Sequence, residues 1–166
     1  MVTTKQIFLE QFSNCYDRNG WFVAVRNALE GVTAEQAVWK PDGSDNCIWE
    51  TLSHIFYYNY AYLRRFKGID YEYTVSSNDE TFDVPENASE TEWQAEIKEF
   101  DSMMSEWRSL LEAADESKFD EPVPQKSDRE WWEIIADINT HNAYHGGQIL
   151  LLRKLHGSWD KSRGVS

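Results

Sequence analysis

The sequence predicts an all-α fold in which four helices form a bundle. Four segments repeat apolar residues at intervals of three or four, the spacing of amphipathic helices. Three connections marked by Gly, Pro, Asp or Asn separate these segments. With 166 residues, of which 41% are hydrophobic, the chain can bury one core, so we expect a single domain over residues 1–166.

The first two predicted helices cover residues 4–30 and 46–67. In the first helix, apolar residues share one side: Phe8, Phe12, Cys15, Phe22 and Leu29. Gly31 ends this helix, and Gly68 ends the second. The second helix carries aromatic residues nearly all round, which indicates burial on more than one side.

The third predicted helix follows a long connection, residues 69–88, that lacks helical periodicity. It begins at a capping box formed by Ser89 and Glu92. Its apolar residues then recur with the a/d spacing typical of a bundle seam: Trp93, Ile97, Phe100, Met104, Trp107, Leu111 and Ala114.

The fourth predicted helix begins at a second capping box, Ser127 with Glu130, and runs to about Leu155. Gly157 closes it. This helix carries two of the four histidines of the chain, and it therefore holds the most informative motif of the sequence.

The net charge of −13 excludes some classes of partner. Nucleic acid and anionic membrane surfaces both require a basic face, and the sequence has no basic stripe or arm. The two cysteines, Cys15 and Cys47, do not make a disulfide framework, and we expect both to be small buried residues. With no signal peptide and no apolar run of membrane-spanning length, the sequence indicates a cytoplasmic protein.

His141 and His145 lie four residues apart on the fourth helix, about 40° apart around its axis, so both can reach one metal ion. Asp137 and Gln148 fall on the same face. The face is otherwise apolar, which indicates that it is directed to the core: Ile134, Ile138, Ile149 and Leu152. Buried imidazoles need partners, and a metal supplies one to each. The alternative is a pair of polar residues on a solvated or otherwise satisfied face.

The third candidate ligand, His54, lies on the second helix. A lone helical histidine is more often a hydrogen-bonded core residue than a ligand, and spacing cannot show that His54 faces His141.

Two segments of the chain resemble the DinB-like superfamily of metalloenzymes. LEGVTAEQAVWKPDGSDNCIWETLSHI, residues 29–55, is similar to the passage of that family into its second helix, which carries a ligand histidine. HNAYHGGQI, residues 141–149, is similar to the fourth-helix signature. Many members have Arg directly after the last histidine, where this chain has Gly146, so an anion-binding role there is not carried over.

The resemblance implies an up-down-down-up four-helix bundle with a long connection between helices 2 and 3. It also implies a three-histidine metal site, here His54, His141 and His145, with open coordination positions, and frequently a homodimer. Imidazole ligands suit several divalent metals: zinc or nickel is favoured, with iron, cobalt or manganese as alternatives.

The family that the chain resembles includes thiol S-transferases, in which the metal activates a low-molecular-weight thiol such as bacillithiol, and also metal-dependent hydrolases. We therefore expect a metal-dependent transferase acting on a small-molecule substrate. The alternatives are a metal-dependent hydrolase, a non-catalytic protein that binds metal or a small ligand, and a purely structural bundle.

Four residues are candidates to orient the ligands or carry protons: Glu50, Tyr58, Asp137 and Gln148. For the two carboxylates the alternative is an exposed helix rim, and for Tyr58 it is the core. Arg65 is a candidate contact for an anionic substrate, or else a surface ion pair.

Self-association is predicted from aromatic residues that point away from the histidines. Trp132 lies nine residues before His141, about 180° round the helix. Phe56 and Tyr60 likewise point away from His54. Together they predict an apolar outer patch suited to a homodimer, unless they pack against residues 69–88.

Overall fold

The computed structural model describes residues 1–164, except for the side chains of residues 126 and 127. This part of the chain is mostly helical, as predicted. It contains six α-helices: α1 (Thr4–Tyr16), α2 (Val25–Leu29), α3 (Ala34–Val38), α4 (Ile48–Phe66), α5 (Glu90–Ala113) and α6 (Trp131–His156). Two short antiparallel strands precede α6: β1 (Pro122–Val123) and β2 (Lys126–Glu130). Single 3-10 turns span Asp79–Thr81, Glu116–Asp120 and Lys161–Arg163.

The prediction of one helix over residues 4–30 was wrong, because side chains around Asn19 and Gly20 stop α1 before α2 begins. The Asn19 Oδ1 atom accepts a hydrogen bond from the backbone N–H of Ala24, 3.0 Å away. Asn27 donates both to that same oxygen, at 2.8 Å, and to the carbonyl of Asp17, at 3.2 Å. Asparagine side chains compete with helical hydrogen bonds in this way, and the chain turns here instead.

Helix α5 begins where the capping box predicts. The Ser89 hydroxyl accepts from the N–H of Glu92, and the Glu92 carboxylate accepts from the N–H of Ser89. Helices α4 and α6 end as predicted at Gly68 and Gly157, whose φ angles of +73° and +80° lie in the region that favours glycine.

Helix α6 begins at Trp131, later than predicted. Residues 126–130 pair with β1 instead of forming a helical turn, and the observed capping box uses Glu130 and Glu133. The side chain of Ser127, which the sequence suggested as the cap, lies outside the described residues.

The four long helices contact one another in pairs, α1 and α4 each packing against both α5 and α6. The Lys5 ammonium donates to the carbonyl of Ala114, so the beginning of α1 lies at the end of α5. Phe66, at the end of α4, contacts Trp131 at the start of α6. The large side chains at the centre of the core include four tryptophans: Trp49, Trp93, Trp107 and Trp131.

Both cysteines are buried and free, as expected of small core residues. None of the six helices in the described range combines the length and apolar character needed to cross a membrane. Phe56 and Tyr60 stack on each other, and Tyr60 packs edge-on against Tyr71 of the long connection. Trp132 remains 44% exposed.

Candidate metal centre

Three histidines converge between α4 and α6. His54 projects from α4, and His141 and His145 project from successive turns of α6. One ring nitrogen from each lies within 4.8 Å of the other two. The Nε2 atoms of His54 and His141 are 2.9 Å apart. The structure thus brings together the three residues that the sequence analysis selected.

The helices that carry the histidines are held in register by two buried amides. Asn59 Nδ2 donates to Asn142 Oδ1 at 2.8 Å, and Asn142 Nδ2 donates back to Asn59 Oδ1 at 3.1 Å. Asn142 directly follows His141, and Asn59 lies five residues after His54 on α4. This reciprocal pair fixes how far α4 and α6 slide past each other next to the histidines.

The long connection between α4 and α5 covers His54. Phe82 stacks on the imidazole of His54, with ring centroids 4.0 Å apart and an interplanar angle of 11°. The Thr81 hydroxyl donates to the carbonyl of Asn78 at 2.6 Å. The same hydroxyl oxygen lies 2.6 Å from Nδ1 of His54. Because its proton is already engaged, this oxygen accepts from the Nδ1–H of His54.

Gln148 accepts a hydrogen bond from His145, as Thr81 does from His54. Its amide oxygen lies 2.6 Å from Nδ1 of His145, and an amide oxygen can only accept. Nδ1 of His145 therefore carries the proton. A neutral imidazole has one N–H, so the Nε2 atoms of both His54 and His145 present bare lone pairs to the centre of the cluster.

Burial keeps these imidazoles neutral. Loss of solvent, with repulsion from the other two histidines, lowers the pKa of His54 to about 3. Burial and the neighbouring His145 lower the pKa of His141 to about 4. The pKa of His145 is also lowered by burial. All three rings are therefore unprotonated at neutral pH, the form in which imidazole binds a metal.

This donor set fits a divalent metal ion. A zinc–nitrogen bond is about 2.0–2.1 Å long, so three nitrogens around one ion lie roughly 3–4 Å apart. In the cluster, the candidate ligand nitrogens all lie within 4.8 Å of one another, and two of them are 2.9 Å apart. Hydrogen bonds from the outer ring nitrogen, as Thr81 and Gln148 provide, are the usual support of metal-bound histidines.

Of the other predicted site residues, Tyr58 lies next to the histidine cluster, whereas Glu50 and Asp137 bind other partners. Tyr58 lies against the cluster, with its ring centroid 5.1 Å from that of His54 and 5.6 Å from that of His141. Its hydroxyl donates to Asn78 Oδ1 at 3.0 Å, and burial raises its pKa, so it stays a neutral phenol.

Glu50 and Asp137 are engaged elsewhere. Glu50 accepts from the N–H of Cys47 and pairs with Lys40 at 2.8 Å, at the start of α4. The Asp137 carboxylate lies 2.7 Å from the guanidinium of Arg129. Neither carboxylate hydrogen-bonds to a histidine of the cluster in the described structure, so their predicted roles as orienters or proton carriers stay predictions.

Sequence reasoning did not select Thr81, Phe82 or Arg129. Thr81 and Phe82 belong to the connection that lacks periodicity, and they reach His54 only through the tertiary fold. Arg129 lies on β2, where a helix was expected. The spacing of residues in the sequence carries no signal for any of these contacts.

Arg65 is buried, which contradicts the predicted surface ion pair, and its contact with an anionic substrate stays a prediction. Only 4% of it is exposed, its guanidinium donates to the carbonyl of Tyr71 and to Gln125, and it lies over the ring of Tyr73. It ties the long connection to α4.

Gly146 is buried where α6 meets α2. A Cβ atom at this position would lie 3.0 Å from Cγ2 of Val25. Any side chain here requires Val25 to move, which disfavours the arginine that the resemblance would place at this position. The chain has glycine instead, so the site lacks that cation.

A cavity of about 260 Å³ opens beside His141. Its lining comes from α4, α6, β2 and the long connection: Tyr58, Tyr62, Asn78, Arg129, Ile134, Asp137, Ile138 and His141. A second cavity, of about 580 Å³, is bounded by Gln148, by residues 41–46 and by leucines of α6. Both give small molecules access to residues at or next to the histidines.

Comparison with known proteins identifies the family. The model of the DinB superfamily matches residues 23–149, which make up well over half of the chain and include all three clustered histidines. No curated protein and no solved structure matches the chain. The extent of this match establishes that the chain belongs to the DinB superfamily.

Proposed function

We propose that this protein is a metal-dependent enzyme that transfers a low-molecular-weight thiol to a small-molecule acceptor. The observation that carries the proposal is the cluster of three neutral imidazoles, two of which have their outer nitrogens bound to Thr81 and Gln148. Membership of the DinB superfamily supports the metal-binding part of the proposal.

A divalent metal held by His54, His141 and His145 would supply a Lewis acid that favours the thiolate form of a thiol at neutral pH. Residues around the histidines would exclude water and orient the imidazole rings. Phe82 and Tyr58 exclude water from two sides of the imidazoles. Thr81 and Gln148 hold the rings in the tautomer that directs Nε2 inward.

Thiol transfer is favoured over hydrolysis by the groups that contact the imidazoles. Within residues 1–164, no carboxylate joins the histidine cluster, and the groups next to the rings are hydroxyl, amide and aromatic. A free thiol has a pKa of about 8.5, so it loses its proton more readily than water and depends less on a positioned general base.

Metal content gives the first test. We expect the purified protein to bind one zinc or nickel ion per chain, measured by mass spectrometry, and His145→Ala to lose it. His156→Ala removes the remaining histidine, which lies outside the cluster, and should keep the metal. An unchanged metal content in His145→Ala would overturn the metal site.

Turnover gives the second test. Thiol consumption is followed with bacillithiol, cysteine and 2-mercaptoethanol against a panel of alkyl halides and epoxides, and ester hydrolysis is followed in parallel. We expect thiol-dependent turnover that His145→Ala abolishes. Ester hydrolysis without thiol transfer would replace the proposal with a hydrolase, and binding of metal without any turnover would replace it with a binding protein.

We also propose the up-down-down-up four-helix bundle, formed by α1, α4, α5 and α6. Contacts between helix ends support it. Lys5 meets the end of α5, Trp49 of α4 packs on Trp93 of α5, and Phe66 meets Trp131 of α6. These contacts fit α4 running alongside α5, and α1 and α6 running against them.

A cytoplasmic homodimer completes the proposal. The free buried thiols suit a reducing compartment, and the exposed Trp132 suits an interface. Sedimentation at micromolar concentration should give twice the chain mass, and Trp132→Glu should give a monomer. Trp21→Glu, the same change at a tryptophan that is 98% exposed, is the control. A monomeric mass for the unaltered protein would refute the dimer.

A further inference from the structure

The cavity beside His141 is the part of the surface through which a small molecule can reach the histidine cluster from the side of Tyr58. Ile134, Ile138 and His141 follow one another at intervals of four and three residues on α6, so they line one face. Tyr58 contacts His141 from the opposite helix. A molecule lying on these residues would have its end at His141.

The volume and the walls of the cavity limit the size and polarity of its ligand. About 260 Å³ is the volume of roughly nine water molecules at ~30 Å³ each, which suits a single ring with short substituents. Ile134 and Ile138 offer apolar surface, and the rings of Tyr58 and Tyr62 offer faces for aromatic packing. A phenol has an ordinary pKa of about 10, so neither tyrosine contributes a negative charge at neutral pH.

The one cation lining the cavity among the described residues is Arg129, and its charge is already compensated. Its guanidinium lies 2.7 Å from the carboxylate of Asp137 and 3.3 Å from that of Glu133. An anionic substrate that approached Arg129 would also meet the negative charges of Asp137 and Glu133. A cationic substrate would lose solvent against Ile134 and Ile138, and the charge of a metal held by the histidines would repel it.

We infer that this cavity binds the acceptor substrate of the proposed reaction, and that Asp137, by pairing with Arg129, restricts that acceptor to uncharged molecules. The volume of the cavity suits an acceptor of single-ring size. The inference rests on the proposed function for the identity of the ligand as an acceptor. It gives Asp137 the role of a specificity-determining residue instead of a support for the histidines.

The test compares two probes of nearly equal shape in the zinc-loaded protein. Methyl p-tolyl sulfone is uncharged, and p-toluenesulfonate carries one negative charge on the same framework. NMR titration gives both dissociation constants, and the methyl signals of Ile134 and Ile138 report the location. We expect the sulfone to bind at least tenfold more tightly and to shift these two signals, whereas the signal of Ile7, on α1, stays unchanged.

Asp137→Asn removes the nearer of the two carboxylates beside Arg129 and leaves only Glu133. We therefore expect the preference for the sulfone to fall below threefold. Glu10→Gln is the matched control. It removes the same charge from an ion pair between Glu10 of α1 and Arg18, which follows that helix. The side chains of Glu10 and Asp137 are 63% and 65% exposed. The control should keep the full preference.

Equal binding of the two probes, a preference for the sulfonate, an unchanged preference in Asp137→Asn, or shifts confined to other methyl groups would each overturn the inference. The titrations are repeated without zinc, so that binding in the cavity is measured independently of the metal. Loss of zinc binding or of turnover, with the sulfone preference intact, would instead refute the proposed function alone.

Discussion

Asn59 and Asn142 exchange two hydrogen bonds across the interface of α4 and α6, beside the three histidines. Both side chains are fully buried. Asn59 also donates to the carbonyl of Ile55, so its amide nitrogen satisfies two acceptors. A buried polar pair of this kind is favourable only while both partners are present, because a single orphaned amide retains its full desolvation cost.

We therefore expect Asn142→Leu to lower the free energy of unfolding by about 1–3 kcal/mol, since it orphans the oxygen of Asn59. In the double variant Asn59→Leu/Asn142→Leu, the free energy of unfolding should fall by less than the sum of the decreases in the two single variants. Urea denaturation of the four proteins measures this coupling. Strict additivity would show that the two amides do not act as a pair.

The contact between Thr81 and His54 predicts a dependence of metal affinity on a residue outside the ligand set. Thr81→Val keeps the shape of the side chain but removes the oxygen that accepts from Nδ1 of His54. Loss of such support typically lowers metal affinity 10- to 100-fold. Competition with a chelator of known affinity for zinc measures the change.

Thr140→Val is the matched control for Thr81→Val. The hydroxyl of Thr140 donates only to carbonyls of its own helix. This change should therefore leave the zinc affinity within about twofold of that of the unaltered protein. Equal affinities for both variants would mean that Thr81 does not orient His54.

The sequence could predict those features that depend on near neighbours. The capping box of Ser89 and Glu92 places the start of α5, and the interval between His141 and His145 places both rings on one face. These features need only the geometry of one helix. The meeting of His54 with His141 depends on how α4 crosses α6, and spacing alone could not predict it; the family resemblance supplied it.

What the sequence could not predict depends on competing local interactions and on distant contacts. Residues 4–30 have a helical pattern throughout, yet the side-chain bonds of Asn19 and Asn27 interrupt the helix. Thr81 lies 27 residues from His54 in a segment without periodicity. Its role follows from the path of the connection, which residue spacing does not determine.

Gly146 and Gly147 are adjacent on α6 but should respond oppositely to substitution. Gly146→Arg would push a long cation into Val25 and the interior, so we expect a loss of about 3 kcal/mol or more, or a failure to fold. A side chain at Gly147 meets nothing within 4 Å. Gly147→Arg should therefore be neutral or stabilising by up to about 1 kcal/mol, because arginine favours the helix more than glycine.

Thermal unfolding and urea denaturation of the two arginine variants measure this difference at equal net charge. A Gly146→Arg variant as stable as Gly147→Arg would show that α2 does not pack on α6 as closely as described. It would also mean that packing does not account for the absence of arginine next to His145.

The half-buried carboxylate of Glu96 predicts a pH dependence of stability. Burial raises its pKa, and the neighbouring Glu99 and Asp83 raise it further, against the hydrogen bond from Ser53. The folded protein therefore holds this proton more tightly than the unfolded chain does. As the pH rises above the ordinary value of 4.5, the unfolded chain ionises first, and the free energy of unfolding falls until the folded carboxyl has ionised.

Glu96→Gln removes this ionisation while keeping an oxygen that can accept from Ser53. At pH 7 the variant should melt at a higher temperature than the unaltered protein, and at pH 3.5, where the carboxyl is protonated in both states, the difference should disappear. Glu112→Gln changes an exposed glutamate of the same helix that lies more than four turns from Glu96, and it should show no such pH-dependent gain. A stabilisation by Glu96→Gln that is equal at both pH values would arise from packing or helix propensity, and it would contradict the assignment to the buried charge.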